Sequence, residues 1–286
     1  MAFPEAMATL TRLVAQTEAL AALGARLRDD VELDPAIAAA LDGVVEELGI
    51  DPAALTPAER TMIGSFARAF LRQAVDLVDH PERPPGWANE DAGVVVPLGR
   101  GSASVAGAFA CVPELDAALS RPDAVFLDVG AGVAALSVAV CRQWPGVRVV
   151  GLEPWPFALQ HARETVRGFE DRVELRELRV EEMTDEAAFD VVWLATPFIS
   201  PAAIPAALER TAAALKSGGI AIYGLFDGPP DPLSQRLIAL RTTRYGGALV
   251  SEAEACALLD AAGFAETREV PRTWPAPVRL VLGTKA

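Results

Sequence analysis

The sequence predicts an α/β protein: an all-helical N-terminal portion followed by a mostly parallel sheet covered on both faces. Three observations carry this. Apolar residues recur at helical spacing up to about His80, with no strand signal among them. From Ala124 onward, short apolar runs alternate with helical stretches, the pattern of a parallel sheet wrapped by helices. A glycine turn, Asp128-Val129-Gly130-Ala131-Gly132, falls where an apolar run ends and a helical stretch begins. With 286 residues, 51% of them hydrophobic, the chain is long enough to bury a sizeable core. The expected division is a helical domain over 1–95, acting as lid or dimerisation surface, and a sheet domain over 96–286.

The first helix carries Leu10, Leu13, Val14, Thr17, Leu20, Ala21 and Leu27 at helical spacing. The second opens with Asp34 as N-cap and Pro35 at the first helical position, and it stops at Gly49. The third opens with a capping box, Thr56 and Glu59, and runs to about His80. Residues 81–103 read as a connector, from Pro81, Pro84, Pro85 and Gly86 through Trp87-Ala88-Asn89-Glu90-Asp91, with Val94-Val95-Val96 as a short strand. Residues 104–120 read as helix interrupted near Pro113.

Strands are then expected at 124–127, 147–152, 173–175, 189–194, 220–223, 264–270 and 278–282. Helices fall at 133–143, 154–166, 201–216 and from Ser251 through Ala261, the last opened by a Ser251/Glu254 capping box.

Charge and cysteine usage narrow the function classes. A net charge of −14 opposes binding to a polyphosphate backbone, so no nucleic-acid partner is expected. The mean hydropathy is +0.26, but alanine supplies much of it, and no run of about 18 apolar residues suggests a membrane span. Cys111, Cys141 and Cys256 are far apart in apolar surroundings, which reads as buried reduced thiols and no metal site. Met1-Ala2-Phe3-Pro4-Glu5 has no basic region followed by an apolar core, so a cytoplasmic protein is the expectation.

The glycine turn is the sharpest local signal. Gly130 permits the tight turn, Gly132 permits close approach of a ligand, and Ala135 is small enough for helix–sheet packing. Glu153 lies 21 residues after Gly132, at the end of the next strand, where a carboxylate can accept from both hydroxyls of a ribose. On residues alone this fits any nucleoside-containing cofactor.

Over about residues 95–286 the sequence resembles the class I S-adenosylmethionine-dependent methyltransferases. Asp128 to Gly132 looks like their first motif, and Glu153 like their ribose-binding acid. Phe189-Asp190-Val191-Val192-Trp193-Leu194 resembles their fourth strand. Leu215-Lys216-Ser217-Gly218-Gly219 is similar to their turn into strand five, with Ser217 where proline is usual. Leu258 to Phe264 is similar to their helix-to-strand-six segment.

The resemblance implies a Rossmann-like, seven-stranded methyltransferase sheet with its last strand antiparallel. It implies S-adenosyl-L-methionine as cofactor, S-adenosyl-L-homocysteine as product, and a small-molecule acceptor. Asp128, Gly130, Ala131 and Gly132 would flank the methionine part, with Leu194 ending strand four; Glu153 would hold the ribose, and Pro154 and Trp155 would pack near the adenine. The family's acidic–apolar adenine contact has no match here and is placed near Arg179 and Val180.

Methyl transfer from a sulfonium is an in-line displacement, so positioning supplies much of the rate, and a base is needed only if the acceptor must lose a proton. Plant-type O-methyltransferases carry a histidine shortly after strand five. Here that stretch reads Tyr223-Gly224-Leu225-Phe226-Asp227-Gly228, so the base candidates are His80, Asp227 and Tyr223, with Glu90 also considered. His161 reads as a helix-surface residue.

Trp87, Phe198, Phe226 and Tyr245 are candidates for the acceptor wall, and Arg244, with Arg241, for contact with an acidic acceptor. The expected function is methylation of a small molecule in secondary metabolism, on oxygen first. Carbon or nitrogen methylation, an NAD(P)-binding oxidoreductase and a non-catalytic cofactor-binding subunit are the alternatives. A homodimer through the helical region is a further expectation.

Overall fold

The computed structural model describes residues 3–87 and 89–286. Met1 and Ala2 of the N-terminal reading, and Ala88 of the connector, lie outside the described residues. The chain divides into two compact units, Met1–Arg83 with Asp91–Leu98, and Pro84–Glu90 with Gly99–Ala286.

The first unit is helical, with α1 (Phe3–Arg26), α2 (Pro35–Glu47) and α3 (Pro57–Asp79). The expected caps form: Asp34 accepts from the Ala36 and Ile37 N–H groups, and Thr56 and Glu59 cap each other's backbone. Glycines let α1 and α3 approach closely, since a Cβ on Gly24 would stand 3.2 Å from that of Ala67, and one on Gly64 3.3 Å from that of Leu27.

α4 (Ala92–Gly101) replaces the strand expected at Val94–Val96. Asp91 explains the difference: its side chain accepts from Gly93 N–H at 2.8 Å, and its carbonyl accepts from Val94 and Val95 at 2.9 Å. That cap outweighs the β preference of three consecutive valines.

In the second unit, one turn of 3₁₀ helix at Ser102–Ser104 leads into α5 (Val105–Ala110) and α6 (Pro113–Leu119). Then come β1 (Val125–Val129), α7 (Ala135–Gln143), β2 (Arg148–Leu152), α8 (Pro156–Thr165), β3 (Val173–Arg176) and β4 (Phe189–Leu194). They are followed by α9 (Ile204–Ala214), β5 (Leu215–Phe226), α10 (Pro232–Arg244), α11 (Glu252–Ala261), β6 (Phe264–Glu269) and β7 (Val278–Lys285).

The sheet order is β3-β2-β1-β4-β5-β7-β6. The first five strands pair in parallel, and β7 runs antiparallel to both neighbours, as the resemblance implied. Two buried cores lie on its two faces: Phe126, Trp193 and Ile222 on one, Leu127, Val192 and Ala221 on the other. These residues alternate along β1, β4 and β5, so both faces of the sheet are covered.

Two further elements depart from the sequence reading. β5 begins earlier than expected, because pairing jumps from Phe189–Leu215 to Val191–Ile220 and the Lys216–Gly219 stretch bulges outward, with Gly218 at φ +73°. α10 was not expected at all; its signal is Asp231 followed by Pro232, and the Asp231 side chain accepts from Ser234 N–H. Of the three cysteines expected to be buried, Cys141 is, Cys256 is half-buried and Cys111 is exposed. Among the described residues, no single helix is long and apolar enough to cross a membrane.

Candidate active site

The glycine turn sits at the carboxyl end of β1, next to the strand order reversal between β1 and β4 where open α/β sheets bind ligands. Gly130 (φ +75°) and Gly132 (φ +57°) adopt left-handed backbone that favours glycine, and Ala134 follows at φ +59°. The N–H groups of Gly130 and Ala131 both donate to Leu152 O at 2.9 Å, tying the turn to the end of β2. Ala131 lies on Gly151, where a Cβ would approach to 3.1 Å, so the strand needs glycine beneath the turn.

Glu153 is the bracket of this end. One carboxylate oxygen accepts from Gly132 N–H and the other from Trp155 N–H, each at 2.8 Å. Burial raises its pKa, and the two backbone donors pull it back. Each carboxylate oxygen has two lone pairs, so accepting one backbone bond leaves capacity for a hydroxyl.

Asp128 is 1% exposed and accepts from Ser137 Oγ at 2.6 Å. Burial pushes its carboxyl up to about 6, opposed by Ser137 and reinforced by Glu153.

The residues present fit an adenosyl cofactor by three marks: Glu153 is fixed with acceptor capacity left, a Cβ on Gly132 would meet nothing within 4 Å, and Trp155 Nε1 is a buried donor without a partner. Pro154 beside it is exposed. Leu194 and Val180 are buried in the core, so only their backbone can face a ligand, while Arg179 is exposed.

The four aromatic candidates come together in the sheet unit. Trp87 meets Tyr245 edge-on at 4.7 Å and Phe198 at 5.4 Å; Phe198 stacks on Tyr245 at 5.1 Å and meets Phe226 edge-on at 5.7 Å. Tyr245 and Phe226 complete the cluster at 6.4 Å. Phe198 follows β4 and Phe226 ends β5, so the cluster stands at the carboxyl side of the sheet.

Backbone contacts fasten it. Gly86 N–H donates to Arg244 O at 3.0 Å, and a Cβ on Gly246 would stand 3.2 Å from Gly86 Cα. A Cβ on Gly247 would overlap the Pro197 carbonyl. Sequence reasoning missed this clasp, because its three segments are far apart in the chain and each glycine alone reads as an ordinary turn.

The base candidates do not gather. Tyr223 is 1% exposed within the core, and burial raises its phenol, opposed by a hydrogen bond with Thr196. A phenol that ionises less readily than a free one is a poor base near neutrality. Both Asp227 carboxylate oxygens are engaged, one by Arg272 and one by Arg279. His80 caps α3 in the helical unit, half-exposed, with Glu82 3.6 Å away. Glu90 is exposed; His161 is half-buried, edge-on to Phe157 at 5.1 Å.

Parallel order, the antiparallel seventh strand and the glycine turn facing Glu153 define the fold of class I S-adenosylmethionine-dependent methyltransferases. Residues 126–219 match the family described as a methyltransferase domain. A putative O-methyltransferase from Nostoc punctiforme matches over 100% of both chains, with TM-score 0.69 and 15% identity. Human N-acetylserotonin methyltransferase in complex with S-adenosylmethionine matches over 98% of both, with TM-score 0.67 and 15% identity. In sequence, 71 residues are 38% identical to the ribosomal RNA small subunit methyltransferase H of Parafrankia sp. (strain EAN1pec), a match covering 25% of this chain and 22% of that protein.

Proposed function

We propose that the chain is an S-adenosylmethionine-dependent methyltransferase acting on a small, flat acceptor, with oxygen as the first-choice nucleophile. The observation that carries this is Glu153 bridging Gly132 and Trp155 at the carboxyl end of the sheet, in the same unit as the aromatic cluster. Bound there, the sulfonium supplies an electrophilic methyl group.

Glu153 would accept from the ribose hydroxyls, the Gly130–Gly132 backbone would lie against the methionine part, and Trp155 would border the adenine. Trp87, Phe198, Phe226 and Tyr245 would present ring faces and edges to a planar acceptor and exclude water. Arg244 would turn an acidic group of the acceptor toward the wall. Positioning then supplies the main rate gain. The acceptor's proton, where one must leave, would go to solvent, since Tyr223 and Asp227 are committed elsewhere.

The small-molecule acceptor named for one structural neighbour, N-acetylserotonin, supports this reading, and the net charge of −14 agrees with it. The short match to an RNA methyltransferase favours RNA as a second reading. A homodimer in the cytoplasm completes the proposal. Supporting the dimer, α1 exposes Phe3, Met7, Leu10 and Val14 along one stripe.

Titration calorimetry with S-adenosylhomocysteine and with NADH tests the cofactor. Binding of the first alone is expected; binding of NADH alone makes the chain an oxidoreductase. Transfer of labelled methyl groups to bulk RNA would replace the small acceptor by the second reading.

A further inference from the structure

β1 delivers Asp128 to the sheet face that carries Phe126, under α7. α7 begins without a side-chain cap, because Ala134 precedes it at φ +59°. The N–H groups of its first turn therefore lack helical partners. Across from that turn, Asp128 accepts from the hydroxyl of Ser137, the third residue of the helix, at 2.6 Å. Ser137 is fully buried, so the hydroxyl has no competing water.

We propose that Ser137 is a positioning residue of the donor site, whose hydroxyl keeps the Asp128 carboxylate fixed and charged beside the glycine turn, where it favours a cationic donor over the uncharged sulfur of the product. This rests on the methyl-donor reading of the site. Burial and the nearby Glu153 push Asp128 toward its neutral form; the Ser137 hydroxyl and the positive end of α7 favour the charged one. The carboxylate is thus near balance, and one hydroxyl tips it.

The other charges around β1 are spent elsewhere. Asp190 pairs with Arg121 and Lys216 at the opposite end of β4, where it also accepts from Val125 N–H. Arg142, in the last turn of α7, lies over the Phe169 ring. Glu153 faces Asp128 from the end of β2.

The test is the affinity for S-adenosylmethionine and for S-adenosylhomocysteine by calorimetry from pH 5.5 to 8.5. Wild-type affinity for the sulfonium should fall on acidification with a step near pH 6. In Ser137→Ala the step should move to higher pH, so that affinity is about five- to tenfold below wild type at pH 6.5 and within about twofold at pH 8.5. Ser137→Thr, which restores a hydroxyl, should return the step toward wild type, and Asp128→Asn should abolish it. S-adenosylhomocysteine should show a smaller step than the sulfonium.

A Ser137→Ala profile that coincides with wild type, or lies below it by one constant factor, overturns the proposal. Should Ser137→Ala fail to fold by circular dichroism, the other two variants decide: a step retained in Asp128→Asn, or absent from a folded Ser137→Thr, overturns it. A wild-type protein that binds neither ligand at any pH removes the donor-site reading, and this inference with it.

Discussion

The glycine-turn end and the aromatic cluster are held by different forces. At the turn, backbone hydrogen bonds dominate: Gly130, Ala131 and Gly132 donate to Leu152 and Glu153 at 2.8–2.9 Å. At the cluster, four rings from four separate segments pack edge-on or stacked, fastened through Gly86, Gly246 and Gly247. The first is directional and local and suits a cofactor of fixed shape. The second is non-directional, so it tolerates exchange of its side chains and suits an acceptor that varies.

If burial governs the turn, stability should respond to Asp128. Its carboxyl is pushed up to about 6 in the folded protein, against an ordinary value of 3.8. Between those values the folded state binds the proton more tightly than the unfolded chain. This group's contribution is therefore most favourable below about pH 4 and is lost as pH rises through about 6, a change of about 3 kcal/mol. Urea melts of wild type and Asp128→Asn across that range should give a difference curve that opens as pH rises; parallel curves would mean the carboxyl is solvated. The charge that costs stability is the one proposed to bind the donor.

Glu153→Ala removes the acceptor of two backbone N–H groups. S-adenosylhomocysteine affinity should drop by about 100-fold, on the scale of hydrogen bonds to a charged group. The near-ultraviolet circular dichroism of the aromatic cluster should stay intact. Loss of that signal would show that the two regions are one cooperative assembly.

Gly247→Ala makes the converse cut. Its Cβ would overlap the rigid Pro197 carbonyl, so the clasp must shift, at about 1–3 kcal/mol. The near-ultraviolet signal should change while affinity for S-adenosylhomocysteine stays within about twofold, since the two sites share no partner. An equal loss of both would break the separation.

How far each region could be read from sequence follows from the same physics. The turn was visible because its determinants lie within a few residues, and Glu153 follows at the spacing that one strand–helix–strand unit imposes. The aromatic candidates are legible as residues in loops near strand ends or in the connector, but their assembly is not, because α10 carries Tyr245 to the cluster and its cap, Asp231-Pro232, is only a local signal. Val94-Val95-Val96 misled because β-branched residues read as strand until the Asp91 cap is recognised. Tyr223 lies within β5 and Asp227 just after it, yet a sequence cannot show that burial and two arginines occupy them.

Trp155 offers the smallest and most discriminating cut, because a single substitution should move two measurements in opposite directions. Its indole Nε1 is buried without a partner, and an unpaired buried donor costs about 1–3 kcal/mol. In Trp155→Phe that donor is gone and most of the ring remains, so the unliganded protein should melt at an equal or higher temperature. If the donor cofactor supplies the missing acceptor, affinity for S-adenosylhomocysteine should fall by about fivefold, one neutral hydrogen bond's worth. Ordinary core packing predicts the reverse pair: a lower melting temperature from the lost ring volume and unchanged affinity. That outcome would assign Trp155 to the scaffold and leave Glu153 and the glycine turn as the whole of the polar end.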